Sequence, residues 1–72
     1  MENNKIIKIE NVEISDVIEL INLGFIQTKT PRSFFITEKK YLSNQKSVNK
    51  ILDKYPDYKN LNCNESLINN LV

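Results

Sequence analysis

The sequence predicts a small α+β domain with the order β-α-β-β-α-α, in which an antiparallel hairpin packs against amphipathic helices. Three observations support this fold class. Residues 5–9 are rich in isoleucine, which favours a strand. Residues 14–25 and 48–55 carry apolar side chains at helical spacing. Residues 25–28 and 33–37 are short apolar runs on either side of a proline-containing turn. With 72 residues, the whole chain (1–72) is expected to form one domain.

The first helix is predicted from an apolar stripe that faces the core. The stripe consists of Ile14, Val17, Ile18, Ile21 and Phe25. Ser15 or Asp16 is the expected N-cap, and Asp16 with Glu19 approximates a capping box. Gly24, the only glycine of the chain, is expected to end the helix because glycine adopts the left-handed conformation without a steric clash.

The hairpin that follows is predicted to turn at Pro31. Proline presets the backbone dihedral of a turn and cannot donate to a strand ladder, so it belongs at the tip. Because side chains alternate along a strand, Phe35 is expected to face away from Phe34 and Ile36.

The second half of the chain is predicted to be helical. Thr37 or Ser43 can cap a helix that Pro56 ends, and residues 56–63 are expected to form a polar connection. A short last helix is expected after Asn64. The apolar side chains of these two helices are Val48, Ile51, Leu52 and Tyr55, followed by Leu67, Ile68 and Leu71.

The composition argues against an enzyme. The chain has no histidine, one cysteine and one glycine. It therefore lacks a cysteine–histidine pair, the ligands of a zinc cage and a glycine-rich phosphate loop. We expect no catalytic residue, no metal and no cofactor. A domain of this size buries only about 60% of its unfolded surface, so a protein partner or self-association is expected to supplement the core. Residues 67–72 contain apolar side chains that suit a homodimer.

The source and compartment are inferred from residue usage. Asparagine, isoleucine and lysine supply 30 of the 72 residues, and all three have A/T-rich codons. This favours a low-G+C bacterium, or a phage or mobile element within one. No segment resembles a signal peptide or membrane span. We therefore expect the cytoplasm of a bacterial or phage-infected cell, and no membrane partner.

The first candidate site is an acidic face of the first helix that carries two leucines. Its residues are Glu13, Asp16, Glu19, Leu20 and Leu23. Leucines surrounded by carboxylates are typical of a protein interface with an apolar centre and a charged rim. The alternative is that Leu20 and Leu23 belong to the core. As an interface, the face predicts a basic protein partner, including a nucleic-acid-binding one.

The second candidate site is a basic surface formed by the hairpin tip and a lysine stripe on the second helix. Its residues are Lys29, Arg32, Lys46, Lys50 and Lys54. Lysines four residues apart on one helix face can follow a phosphate backbone. The alternative is an ordinary solvated helix face, and the net charge of +1 weighs against a strong nucleic-acid binder.

Residues 20–42, LINLGFIQTKTPRSFFITEKKYL, resemble the back half of a bacterial winged-helix domain. The matching residues are Leu20, Gly24, Phe25 and Ile26, then Phe35, Ile36, Thr37, Glu38 and Lys39. The resemblance implies a two-stranded wing in which Lys29 and Arg32 would contact phosphates. The strand-like segment upstream of Asp16 departs from the family, because it leaves no room for paired helices.

The sequence thus favours a non-enzymatic protein-binding module, a phage or mobile-element effector that inhibits a host protein by occlusion. A winged-helix-like nucleic-acid-binding regulator is the alternative.

Overall fold

Residues 4–63 form an antiparallel four-stranded sheet with three helices in the order β-α-β-β-α-α-β. This architecture is that of a computed structural model, which describes residues 4–63. The elements are β1 (Asn4–Ile9), α1 (Ile14–Leu23), β2 (Ile26–Gln27), β3 (Phe34–Thr37), α2 (Glu38–Ser43), α3 (Gln45–Lys54) and β4 (Lys59–Cys63). The predicted α+β class is confirmed. The expected helix after Asn64 lies outside the described residues.

The sheet has the strand order β2-β3-β1-β4. Paired residues of an antiparallel sheet share a face, and Ile7 pairs with Ile36 while Ile9 pairs with Phe34. These four side chains belong to the main core cluster, together with buried residues of α1 and α3. Phe35 pairs instead with Lys8 and is buried outside that cluster. The expected alternation of residues 34–36 is therefore confirmed.

The turn between β2 and β3 is built as the proline predicts. The Ser33 N–H donates to the Thr30 carbonyl oxygen at 3.2 Å, which places Pro31 at the first central position. Arg32 follows it with a φ of 63°, as the second central position of a type II turn requires. The Thr28 hydroxyl accepts a hydrogen bond from the Thr30 N–H.

The second half differs from the prediction in two places. The expected single helix divides at Asn44, whose φ of −130° departs from helical values. Thr37 caps the first part through its hydroxyl, which accepts from the Lys40 N–H. The prediction of a polar connection over 56–63 was wrong, because residues Lys59–Cys63 form a strand that pairs with β1. Backbone pairing with a neighbour outweighs the low strand propensity of asparagine and lysine there.

Candidate functional site

Helix α1 presents three isoleucines to solvent. Ile14, Ile18 and Ile21 are 79%, 73% and 56% exposed. Their spacing of four and three residues puts them in one line along the helix, which we call the isoleucine ridge. The prediction that these three residues form the core stripe was wrong. The other two members of the predicted stripe do face inward, since Phe25 is buried and Val17 packs partly against the core.

The opposite side of α1 is the one that enters the core. Leu20 is fully buried in the main cluster, and Leu23 packs against that cluster while partly buried. The alternative that the two leucines belong to the core is therefore the one that the structure supports, and Leu20 is not available to a partner on this surface.

A buried carboxylate fixes the rotation of α1. Asp16 is 7% exposed, and the Tyr55 hydroxyl donates to its Oδ2 at 2.6 Å. The Lys54 ammonium lies 3.4 Å from its Oδ1. The same Tyr55 hydroxyl accepts a hydrogen bond from the Glu13 N–H at 3.0 Å. A buried carboxylate is costly unless it is paired and hydrogen-bonded, so these partners hold α1 with Asp16 and Leu20 inward.

The network shifts two ionisation equilibria. The hydrogen bond from Tyr55, followed by the hydrogen bond and charge of Lys54, lowers the pKa of Asp16 against the opposing effect of burial. Burial and the hydrogen bond to Asp16 raise the pKa of Tyr55. Both shifts favour the state in which Asp16 is ionised and Tyr55 is protonated.

Contacts at both ends align α1 with α3. The N-terminal end of α1 meets Lys54 and Tyr55 at the C-terminal end of α3. At the other end, the Asn44 side-chain amide donates to the Leu23 carbonyl oxygen at 3.2 Å. The two helices therefore run antiparallel.

The ends of α1 match the prediction only in part. Gly24 ends the helix with a φ of 104°, as expected. The expected capping box is absent from this helix. Glu13 occupies the N-cap position without a side-chain hydrogen bond, and Glu19 is exposed. Of the predicted acidic site, Glu13 and Glu19 alone lie on the surface.

All five residues of the predicted basic surface are exposed, and two of them also make contacts within the fold. Arg32 donates from Nε to the Val12 carbonyl oxygen at 2.7 Å, and its own carbonyl accepts from the Val12 N–H at 2.9 Å. Lys54 pairs with Asp16. Lys29, Lys46 and Lys50 are exposed. Arg32 and Lys54 thus contribute to internal contacts while both residues remain exposed.

The sequence missed the isoleucine ridge because α1 offers two apolar faces. Only four of its ten residues are polar, namely Ser15, Asp16, Glu19 and Asn22. One difference between the two faces is visible in the sequence, since the isoleucine face contains no charged residue. The inward face contains Asp16, whose carboxylate accepts a hydrogen bond from Tyr55.

Two further features concern residues 4–63 alone. No three metal-ligating side chains come together there in a way that could hold an ion. None of the described helices combines the length and apolar character that crossing a bilayer requires.

Comparison with protein-family models, curated proteins and solved structures found no match to this chain.

Proposed function

We propose that this protein is a non-enzymatic protein-binding module that places the isoleucine ridge of α1 in an apolar groove of a partner. The observation that carries the proposal is the exposure of Ile14, Ile18 and Ile21 on one line of one helix. Single exposed apolar residues are common on folded proteins, whereas contiguous ones mark interaction sites.

The geometry fits a known mode of recognition. Amphipathic helices dock into grooves through anchors spaced i, i+4 and i+7, which is the spacing of the ridge. Full burial of an isoleucine side chain contributes about 1.5–3 kcal/mol. Two or three such anchors can therefore provide the centre of an interface.

Charge favours a partner with a basic rim. Glu13 and Glu19 are exposed on α1, while Lys54 offsets the charge of Asp16. The uncompensated charge of the helix surface is thus negative, and complementary charge around a groove accelerates association and fixes orientation. This supports the basic partner expected from the sequence, with the ridge replacing Leu20 and Leu23 as its apolar centre.

The biological role we propose is inhibition of a host protein by occlusion. The high content of asparagine, isoleucine and lysine, whose codons are A/T-rich, supports a phage or mobile element in a low-G+C bacterium as the source. The site of action would then be the bacterial cytoplasm.

The test begins with a photoreactive amino acid at position 18, and separately at position 50 as a matched exposed control on α3. Irradiation of bacterial cells that express each variant is expected to give an adduct at position 18 alone, whose partner mass spectrometry identifies. Binding of that purified partner is then measured by calorimetry for the native chain, Ile18→Lys and Lys50→Glu.

The expected result is a loss of at least about 30-fold in affinity for Ile18→Lys, as for an interface hot spot, and near-native affinity for Lys50→Glu. Equal affinities for the two variants would contradict the proposal. Micromolar binding to duplex DNA that weakens steeply between about 50 and 200 mM salt would favour the basic surface instead.

A further inference from the structure

A second surface feature, separate from the isoleucine ridge, is the outer edge of β4. β4 pairs with β1 along all five of its residues, and within residues 4–63, the part of the chain that the structure describes, the strand order makes it one edge of the sheet. The opposite edge strand, β2, has only two residues. Proteins normally protect sheet edges by shortening them or by adding charge, proline or a bulge. β4 is longer and regularly paired, contains no proline, and has one charged residue, Lys59, at its first position.

We propose that β4 pairs antiparallel with β4 of a second copy, about a two-fold axis at Leu61. This axis is the one that pairs every residue of Lys59–Cys63, because Leu61 is the middle of the strand. It places Leu61 opposite the partner's Leu61, and Asn60 opposite the partner's Asn62. A two-fold interface of this kind uses the same surface of both copies.

The charges of the strand allow this register. Lys59 lies opposite the partner's Cys63, so the two lysines are at opposite ends of the paired segment, separated by about 13 Å along the strand. No like charges then face each other, which would destabilise a cross-strand pair. The surface is therefore electrostatically compatible with a copy of itself.

The surroundings of Leu61 supply apolar surface for the pairing. Leu61 is 36% exposed and lines an open cavity of about 380 Å³ together with Ile6, Tyr41 and Leu42. Leu42 is itself exposed. A partner strand brings a second leucine next to Leu61 at the rim of this cavity. The gain in burial suits a small domain, which buries only about 60% of the surface that its unfolded chain exposes.

The pairing uses no residue of the ridge, so it stands independently of the proposed function. The dimer would carry two copies of the ridge. Two linked sites raise the apparent affinity for a partner that also has two sites.

Disulfide cross-linking tests the register directly. Paired residues of antiparallel strands have Cα atoms about 4.5–5.5 Å apart, within the range of about 4.4–6.8 Å for a disulfide. Leu61→Cys in a Cys63→Ser background is therefore expected to give a covalent dimer under mild oxidation. Lys59→Cys with the native Cys63 is expected to give a dimer joined by two disulfides.

The matched control is Ile26→Cys in the same Cys63→Ser background, because Ile26 is exposed on the opposite edge strand. The control is expected to cross-link slowly. The native chain is also expected to cross-link slowly, because the proposed register places the two Cys63 residues at opposite ends of the paired segment. Cross-linking of Leu61→Cys no faster than the control would overturn the proposal, as would equally fast cross-linking of the native chain. Sedimentation equilibrium without oxidant provides a second readout, and a monomer at every concentration would also overturn it.

Discussion

Helices α1 and α3 run antiparallel and contribute to the same core, yet they divide polar and apolar residues in opposite ways. α3 buries Val48, Ile51 and Leu52 and exposes its lysines. α1 exposes three isoleucines and buries a carboxylate beside Leu20. The amphipathic pattern of α3 fixes which side faces inward. Helix α1 has two apolar faces, and the hydrogen bond from the Tyr55 hydroxyl to Asp16 determines which of them packs against the core.

The strongest way to test this comparison is to truncate one residue on each side of α1. Leu20→Ala removes a fully buried side chain and is expected to destabilise the protein by about 2–5 kcal/mol. Ile18→Ala removes an exposed one and is expected to change stability by less than about 0.5 kcal/mol. Urea denaturation of both variants measures the difference. Equal losses would show that the two faces are equally buried.

The next largest effect is expected from the Asp16 network. Tyr55→Phe leaves the buried carboxylate without its shortest hydrogen bond, which is expected to cost about 1–3 kcal/mol. Tyr58→Phe is the matched control, since Tyr58 is exposed. The midpoint of chemical unfolding for each variant gives the comparison. A control as destabilised as Tyr55→Phe would contradict the assigned role.

The pH dependence of stability is a second test of the Asp16 network. The pKa of Asp16 is lowered in the folded state. The contribution of the ionised carboxylate to the free energy of unfolding is therefore fully present above the unfolded pKa of about 3.9. It is lost as pH falls through the lower folded pKa. The stability difference between the native chain and Asp16→Asn is therefore expected to narrow below about pH 4. Urea unfolding of both proteins across that pH range measures this difference in stability. A difference that stays constant with pH would argue against an ionised, hydrogen-bonded Asp16.

A smaller effect is expected at the end of α1. Gly24→Ala places a Cβ at a φ of 104°, where side chains other than hydrogen are disfavoured by about 1–2 kcal/mol. The nearest atom to that Cβ is Lys40 Cδ at 3.2 Å, on a flexible side chain that can move. Backbone strain should therefore account for most of the loss. Gly24→Asn is expected to lose less than Gly24→Ala, because asparagine tolerates left-handed conformations, and thermal unfolding can rank the two.

These results show which parts of the molecule local sequence determines. Gly24 and Pro31 act through their own backbone geometry, and Thr37 acts through a hydrogen bond from the nearby Lys40 N–H. The sequence therefore predicted these local roles. The rotation of α1 depends on a contact between Asp16 and Tyr55, which are 39 residues apart. β4 depends on pairing with β1 at the other end of the chain. Periodicity alone contains neither of these long-range contacts.

The same limit explains the outcome for the candidate site. The sequence predicted a site with Leu20 and Leu23 as its apolar centre, and of its carboxylates Glu13 and Glu19 are exposed. A helix phase set by the more isoleucine-rich stripe points Leu20 and Asp16 outward. The correct phase instead exposes Ile14, Ile18 and Ile21.

The two sides of α1 differ in accessibility, because the isoleucine ridge faces solvent while Leu20 faces the core. Thiol labelling of Ile18→Cys and Leu20→Cys, each in a Cys63→Ser background, tests it without knowledge of any partner. Ile18→Cys is expected to react at the rate of a free thiol, whereas Leu20→Cys is expected to be protected until urea unfolds the domain. Protection of Ile18→Cys together with rapid labelling of Leu20→Cys would contradict it.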